Sequence, residues 1–441
     1  MEYAQPSLRS ARILGSAVGL SLALILFLTV IRGIGSSFAA PLPLSTPEIR
    51  RQVAAQMSRA VFRRSELLKH QVIVHVVTTD GRTLPPWTIA LVRHPDWVTV
   101  DFSASQWAVI ISAQKILDTL TRQPPSALPT PVDCTLTALK ADDFGVLRAQ
   151  TSCTATDGYA YDPKTLAESI KQAFDSSIPE LTFTVATKQG IVHDVGPQGL
   201  GDLTLLATGQ SNFKGSGEGR KANVRKALGE KVNNVVIPAG AAFSFNAVLG
   251  GPVDTSAGWR MALAIFEGVH MRPVPGGGIC QASTTVYRAA LKAGFPILEH
   301  KNHSLYVTYY EAHGVGQDAT VYPGRQNLTF FNDSGGPLLL QAYDVGDDAY
   351  VSIFGKPDGR SVTMVGPYFG KTAPADVLVD GRRPVRNNEI AWVRTVKGLD
   401  GKEQREVVVS RYPALPRTLA SRWPVQTEYI VHAAATSRSA D

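Results

Sequence analysis

Cys280 stands between three consecutive glycines and a run of small and apolar residues with helical spacing. The glycines at 276–278 can adopt backbone angles that other residues avoid, and they place no side chain beside the thiol. The run that follows predicts a helix that ends near Gly294. Free backbone N–H groups at a helix start favour a thiolate. Cys280 is therefore a candidate nucleophile, and the alternative is a small buried cysteine that packs a tight turn.

His303 and Asp318 follow Cys280 along the chain, and each precedes a stretch with strand-like composition, 304–310 and 319–322. A cysteine at a helix start, then a histidine and an aspartate on adjacent strands, is the order found in thiol enzymes built like papain or transglutaminase. The histidine would accept the thiol proton, and the aspartate would orient the imidazole. Cys280, His303 and Asp318 are thus the candidate catalytic residues. Alternatively, His303 only caps a strand and Asp318 only opens a turn.

Residues around the candidate nucleophile could bind a substrate. Gln281 and the backbone N–H groups near Cys280 could stabilise an oxyanion. The glycine backbone would let an extended peptide approach closely. Phe243, Phe245 and Trp259 could supply apolar walls, or could belong to the core.

A metal site is a weaker interpretation of the same region. Cys280, His300, His303 and Asp318 are possible ligands. The chain has no paired CxxC motif and no HExxH motif, so we predict no metal and no cofactor.

The other two cysteines suggest an oxidising compartment. Cys134 and Cys153 lie in neighbouring strand-like stretches, and a disulfide between them is plausible outside the cytoplasm. Such a pair leaves Cys280 as the odd, unpaired thiol.

An apolar run from 13 to 31 predicts a membrane-spanning helix. Arginines flank it on both sides, and we expect the short N-terminus inside and the bulk of the chain outside, as a single-pass protein of the cell membrane. The alternative is a signal peptide cleaved after Ser37-Phe38-Ala39, which would give a secreted protein.

The net charge of +7 is mild and spread along the chain. No basic run with interleaved aromatic residues is present, so we predict no nucleic-acid partner. A positive surface suits anionic lipids or wall polymers better. A helix predicted to begin at Pro47 carries several arginines, which lie on anionic lipid or form an ordinary solvated face.

The 441 residues are enough for two or three domains. We predict an α+β protein, because strand-like and helical patterns alternate. The expected segments are a cytoplasmic stub with a transmembrane helix (1–36), a juxtamembrane basic helix (37–70), a small duplicated α+β module (71–204), an α+β domain whose glycine loop and helix pack on an antiparallel sheet (205–366), and a β-rich C-terminal extension (367–441).

Several motifs between residues 205 and 356 carry a family resemblance. They are Asn223-Val224-Arg225, Ile237 to Asn246, Gly276 to Gln281, Ser283-Thr284, Tyr287, Ala290, Ala293-Gly294, His303-Ser304 and Asp318 to Val321. In these motifs the chain resembles the VanW family of bacterial envelope proteins, named after an accessory protein of vancomycin-type glycopeptide resistance clusters. The family usually has Val-Gly-Pro where this chain has Leu-Gly-Gly-Pro at 249–252, and Gly-Arg-Asp where it has Gly-Gln-Asp at 316–318. Asp318 is kept.

The resemblance implies an envelope location and a link to peptidoglycan, but no reaction. Residues 71–185 resemble a peptidoglycan-binding module that often precedes VanW domains. With the motif residues included, the substrate-binding candidates are Gly276, Gly277, Gly278, Gln281, Ser283, Phe245 and Asn246.

Two classes of function stay open from the sequence. The first is a Cys-His-Asp thiol acyltransferase or amidase that acts on peptidoglycan stem peptides. The second is a non-catalytic peptidoglycan-binding or scaffold protein in which Cys280 and His303 are structural. Either would be anchored to the membrane through the N-terminal helix.

Overall fold

The computed structural model describes residues 47–79, 81–103, 106–266 and 270–432. The apolar run at 13–31, with the membrane topology predicted from it, lies outside these residues. Within the described part of the chain, no helix is both long and apolar enough to cross a membrane. The fold is mixed α and β, and it is rich in strands.

Seven α-helices lie in the described residues. They are α1 (Pro47–Leu67), α2 (Ala113–Arg122), α3 (Pro163–Asp175), α4 (Glu218–Lys226), α5 (Phe245–Leu249), α6 (Ile279–Lys292) and α7 (Leu419–Arg422). A π-helical segment (Ala227–Val232) continues α4, and three 3₁₀ turns cover Leu91–Arg93, Pro95–Trp97 and Thr308–Tyr310.

The strands alternate with these helices. They are β1 (Gln71–Thr78), β2 (Thr83–Ala90), β3 (Val98–Ser103), β4 (Gln106–Ile111), β5 (Cys134–Ala141), β6 (Leu147–Thr151), β7 (Gly158–Ala160), β8 (Glu180–Lys188), β9 (Ile191–Asp194), β10 (Leu203–Asn212), β11 (Val235–Ile237), β12 (Ala242–Ser244), β13 (Met261–Phe266), β14 (His270–Pro275), β15 (Ile297–Glu299), β16 (Thr329–Phe331), β17 (Leu338–Val345), β18 (Asp348–Gly355), β19 (Ser361–Phe369), β20 (Leu378–Val379), β21 (Arg383–Pro384), β22 (Glu389–Lys397), β23 (Glu403–Arg411) and β24 (Gln426–Val431).

The chain divides into two compact units. The smaller one contains α1 and most of the β3–β4 hairpin, and the larger one contains the remaining described elements. In the smaller unit, Arg64 Nε donates a hydrogen bond to the Val98 carbonyl at 3.0 Å. The helix α1 is the one that the sequence predicts from Pro47, and Val61 and Phe62 on it are exposed.

The segment predicted as a duplicated module does not fold as two separate repeats. One sheet has the order β2-β1-β8-β7, so its first two and last two strands come from opposite ends of the segment. The strand β1 pairs with β8 in parallel, and the helices α2 and α3 pack against each other. Hydrogen bonding between distant strands, rather than local repetition, therefore organises this part of the chain.

The strands β5 and β6 from the same segment enter a closed barrel of order β10-β18-β17-β11-β6-β5-β9. The barrel crosses the domain boundary that the sequence predicts at residue 204, because β11 pairs with β6 as well as with β17. The helix α6 packs on the antiparallel pair β10 and β18. At Gly209 on β10 a Cβ atom would lie 2.1 Å from the Thr285 carbonyl oxygen, so only glycine allows this approach.

The C-terminal sheet has the antiparallel order β23-β22-β19-β24. Its first strand, β19, begins at Ser361, before the start of the extension predicted at 367–441. Arg394 on β22 donates to the carbonyls of Leu291 and Phe295, both at 2.9 Å, at the end of α6. These bonds fix the C-terminal sheet against the helix that carries the candidate nucleophile.

The structure joins Cys134 to Cys153 in a disulfide, with the two Cα atoms 5.5 Å apart. Cys134 begins β5, and Cys153 lies just after the end of β6. The bridge therefore ties together two adjacent strands of the barrel, and Cys280 is the unpaired cysteine.

We expect removal of this bridge to lower the stability of the barrel. The two cysteines are 19 residues apart. Without the bridge the unfolded chain gains entropy, so the free energy of unfolding should fall by about 3 kcal/mol for a loop of this size. The measurement is urea unfolding of a Cys134→Ala, Cys153→Ala variant against its parent, both carrying Cys280→Ser so that no thiol can exchange. Equal unfolding midpoints in the two proteins would contradict the prediction.

Candidate active site

Cys280 lies in the first turn of α6, with its thiol half-buried against the segment 320–321. The Val321 N–H donates to Cys280 Sγ at 3.5 Å, and the Val321 carbonyl oxygen lies 3.6 Å from the same sulfur. The Thr320 hydroxyl lies 3.7 Å from Sγ. The sulfur is therefore placed by a neighbouring loop as well as by its own helix.

Two hydroxyls of α6 hold that loop in place. Ser283 Oγ donates to the Ala319 carbonyl at 2.7 Å. Thr284 Oγ1 accepts the Ala319 N–H at 3.0 Å. Ser283 is completely buried by these contacts, so it positions the loop, and a substrate cannot reach it without a rearrangement.

The space beside each glycine before Cys280 is occupied by atoms of neighbouring residues. A Cβ on Gly277 would lie 2.3 Å from the Ala262 carbonyl oxygen, and one on Gly276 would lie 2.4 Å from a Val253 methyl. Gly278 has a φ of 113° and packs against Arg220. Close packing onto β13 and α4 therefore requires these glycines, which differs from the open peptide-binding wall expected from the sequence.

Gln281 is committed to hydrogen bonds inside the protein. Its Nε2 donates to Ser211 Oγ at 2.8 Å and to the Asn212 carbonyl at 3.0 Å, while its Oε1 accepts from Arg220 Nη2 at 2.6 Å. Both amide N–H groups are used. The side chain is therefore not available as the oxyanion donor that the sequence suggests.

Phe245 and Asn246 lie at the start of α5. Phe245 is fully buried, like Phe243 and Trp259, and belongs to the apolar core. The Asn246 side chain donates to the Gln326 carbonyl at 2.9 Å, and its Oδ1 has no hydrogen-bond partner in the described part of the chain. Both residues hold the fold together here, and no described contact links them to Cys280.

His303 and Asp318 form a buried pair next to Cys280. His303 Nδ1 is hydrogen-bonded to Asp318 Oδ2 at 2.5 Å, and the His303 N–H donates to the same oxygen at 2.7 Å. Because Nδ1 faces the carboxylate, Nε2 is the ring nitrogen left for the thiol. The phenol of Tyr412 donates to the other carboxylate oxygen, Oδ1.

These contacts shift the pKa values of three side chains, each in the direction that favours the charged form. Burial raises the pKa of the Cys280 thiol, but its hydrogen bond with His303, the charge of His303 and the Val321 N–H outweigh burial and lower the pKa. Burial lowers the pKa of His303, whereas Tyr310, Asp318 and the thiol raise it to well above its ordinary value. Burial raises the pKa of Asp318, but His303 and the Tyr412 hydroxyl lower it overall. The thiolate, imidazolium and carboxylate forms are therefore favoured together.

His303 and Asp318 do not lie on strands, contrary to the prediction for 304–310 and 319–322. Residues 301–321 form loops with the 3₁₀ turn Thr308–Tyr310.

Arg288 on α6 binds much of this loop through its backbone. Its buried guanidinium donates to five carbonyl oxygens at 2.6–2.9 Å, four of them in residues 310–317 and one on β10. The acceptors are those of Gln210, Tyr310, Ala312, Gly314 and Gln317.

Three further residues contribute to the site. Arg288 is one residue of a predicted helix, Tyr412 lies in the C-terminal extension, and His300 is predicted only as a possible metal ligand. His300 stacks on Tyr287 with ring centres 4.0 Å apart, and its Nε2 donates to the Asp318 carbonyl at 2.7 Å. The sequence gives no local signal for Arg288, because its neighbours one turn away on the helix, Thr284, Thr285 and Lys292, are also polar. Within the described ranges, no group of three or more His, Cys, Asp or Glu side chains is arranged to hold a metal ion.

Comparison with known proteins identifies the part of the chain that carries this site. Residues 219–354 match the family described as VanW like protein, which confirms the resemblance to the VanW family, and Cys280, His303 and Asp318 all lie in this segment. The chain is also similar to the uncharacterized protein YoaR of Bacillus subtilis (strain 168), with 29% identity over 177 residues. This match covers 40% of the present chain and 54% of the relative, so the chain spans about half the length of that protein. No solved structure matches the chain.

We expect Arg288→Met to destabilise the protein strongly. The substitution leaves five carbonyl acceptors without their donor, at a cost of about 3 kcal/mol or more in unfolding free energy. The matched control is Arg225→Met, which removes a partly exposed arginine bound to Asp344 and should cost about 1 kcal/mol or less. Urea unfolding checks both variants, and equal losses in the two would contradict the role given to Arg288.

Proposed function

We propose that this VanW-like chain is a thiol acyltransferase or amidase of the cell envelope that acts on the stem peptides of peptidoglycan. The observation that carries the proposal is the hydrogen-bonded pair of His303 and Asp318 beside the thiol of Cys280. A nucleophile, a base and a group that orients the base are the components of covalent acyl transfer. Each of them has its pKa moved in the direction that this chemistry needs.

In the first half of the reaction, the Cys280 thiolate attacks the carbonyl carbon of a substrate amide and forms a carbon–sulfur bond. The carbonyl electron pair moves onto oxygen, and the backbone N–H of Cys280 at the start of α6 supports this oxyanion. When the carbonyl reforms, the carbon–nitrogen bond breaks. His303 Nε2 gives its proton to the departing amine, and a thioester remains on Cys280.

In the second half, neutral His303 accepts a proton from the attacking group. An amine acceptor gives acyl transfer, and water gives amide hydrolysis. The acceptor forms a new bond to the thioester carbon, and the carbon–sulfur bond breaks to restore the thiolate. Asp318 stabilises the imidazolium in each half-reaction.

The substrate class and the location rest on sequence features and on the family. The mild positive charge suits anionic wall polymers, and the predicted N-terminal helix would hold the chain at the membrane with its bulk outside the cytoplasm. Cleavage of that segment would give a secreted form instead. The disulfide between Cys134 and Cys153 is consistent with an oxidising compartment.

A non-catalytic wall-binding or scaffold protein is the second candidate function. Two features favour it. Neighbouring residues occupy the space beside the glycines at 276–278, and Gln281 and Ser283 are buried, so none of these residues is open to a substrate. In this case Cys280 and His303 would be structural residues.

Alkylation of Cys280 as a function of pH separates the two functions. Because the thiol pKa is lowered, we expect iodoacetamide to label Cys280 readily at roughly pH 7, below the ordinary thiol pKa of about 8.5. His303→Ala removes the hydrogen bond and the positive charge that lower this pKa, so labelling at about pH 7 should slow by roughly tenfold or more. Mass spectrometry of the Cys280 peptide gives the rates.

The controls for this measurement are Cys280→Ser, which should abolish labelling while the fold is retained, and His193→Ala. His193 is a partly exposed histidine that pairs with Asp202, and it is not among the groups that shift the pKa of the thiol. A Cys280 that is inert to alkylation in the folded wild-type protein would remove the enzyme hypothesis and leave the scaffold function.

The proposed topology has its own test. If the run at 13–31 spans the membrane with the N-terminus inside, protease added to intact, wall-stripped cells should digest the bulk of the chain. A cytoplasmic protein in the same cells serves as the integrity control. Full protection of the chain would contradict this topology.

A further inference from the structure

The third donor to Asp318 comes from outside the segment that matches the VanW family. Tyr412 directly follows β23 in the C-terminal sheet, whereas the family match ends at residue 354. The Tyr412 side chain is buried, and its hydroxyl donates to Asp318 Oδ1. Two residues 94 positions apart in the chain thus share one hydrogen bond inside the site.

The bond completes the surroundings of the carboxylate. Asp318 Oδ2 faces His303 and accepts from both its backbone N–H and Nδ1. With Oδ1 bound by the phenol, both carboxylate oxygens are held and the group cannot rotate without losing a donor. The Tyr412 hydroxyl therefore fixes the oxygen that orients the imidazole.

Tyr412 is itself held by several contacts. Its backbone N–H donates to the Asn388 carbonyl at 3.0 Å. Its ring packs edge-on against Tyr306 with the centres 5.3 Å apart, and both lie in an apolar cluster with Val315 and Ile390.

Further bonds attach the C-terminal sheet to the loop that carries Asp318. Trp392 Nε1 donates to the Val315 carbonyl at 2.8 Å. Gly316 is packed so closely that a Cβ there would lie 2.8 Å from Ile390. The position of the phenol is thus set by the docking of the whole sheet, rather than by one flexible side chain.

We propose that Tyr412 is a positioning residue of the Cys280 site, and that the C-terminal sheet is a working part of that site. This inference rests on the proposed thiol chemistry and deepens it. The residues matched to the family supply the nucleophile and the imidazole, and the extension supplies the group that fixes the orienting carboxylate. A 219–354 segment alone would lack this hydrogen bond.

The test is the pH profile of Cys280 alkylation in the purified full-length Tyr412→Phe variant. Phenylalanine keeps the ring and its packing but removes the donor. The pKa of Asp318 should then rise, its support for the His303 imidazolium should weaken, and the thiolate should form at higher pH. We expect the rate at about pH 6 to fall by roughly tenfold, with the maximal rate at high pH unchanged.

Tyr306→Phe is the matched control. It removes a hydroxyl from the neighbouring tyrosine, whose ring touches Tyr412, without removing a hydrogen bond to Asp318. Its alkylation profile should coincide with that of the wild type. An equal shift in both variants would indicate a general packing effect and would overturn the proposal.

A second variant covers the case in which Tyr412→Phe does not fold, as judged by circular dichroism. Site-specific replacement of Tyr412 by a monofluorinated tyrosine retains the ring and the hydroxyl and makes the phenol a stronger donor. The acidic limb of the profile should then move to lower pH. An unchanged profile in whichever variant folds, with wild-type labelling still dependent on His303, would overturn the role of Tyr412 alone. Wild-type Cys280 inert to alkylation would instead overturn the proposed function and this inference together.

Discussion

The geometry of the site depends on the hydrogen bonds that the Arg288 guanidinium donates to backbone carbonyls. It is fully buried on α6, where burial lowers its pKa to about 10 but leaves it charged at neutral pH. A buried cation is costly unless it is fully hydrogen-bonded. Its five carbonyl partners come from β10 and from the loop 310–317, so the arginine gives that irregular backbone the partners that a sheet would otherwise supply.

Asp318 links the loop bound by Arg288 to the proposed catalytic residues. It follows the loop that Arg288 organises, and the Ser283 and Thr284 hydroxyls hold the next residue against α6. The carboxylate accepts from His303 on one oxygen and from Tyr412 on the other. One buried charge therefore connects the segment that matches the family with the C-terminal sheet. Its hydrogen bonds offset the cost of its burial.

At the start of α6, the residues around Cys280 also pack the helix against its neighbours. Glycines at 276–278 let β13 and α4 approach the backbone, and the Gln281 side chain joins α6 to Arg220 and to the end of β10. Such contacts fix the helix terminus rigidly. A fixed helix terminus keeps Cys280 Sγ against the Val321 N–H and beside His303, and these two groups lower the pKa of the thiol.

The order of residues along the chain selected His303 and Asp318 as candidate partners of Cys280. The sequence by itself also predicted the helix that begins beside Cys280 and the disulfide between Cys134 and Cys153. These follow from local signals, namely glycine conformational freedom, helical periodicity and the count of cysteines. Only the tertiary structure decided that residues 301–321 form loops, that Gln281 is turned inward, and that Tyr412 reaches Asp318. The physical reason is that these outcomes depend on hydrogen bonds between residues far apart in the chain, which periodicity and propensity do not encode.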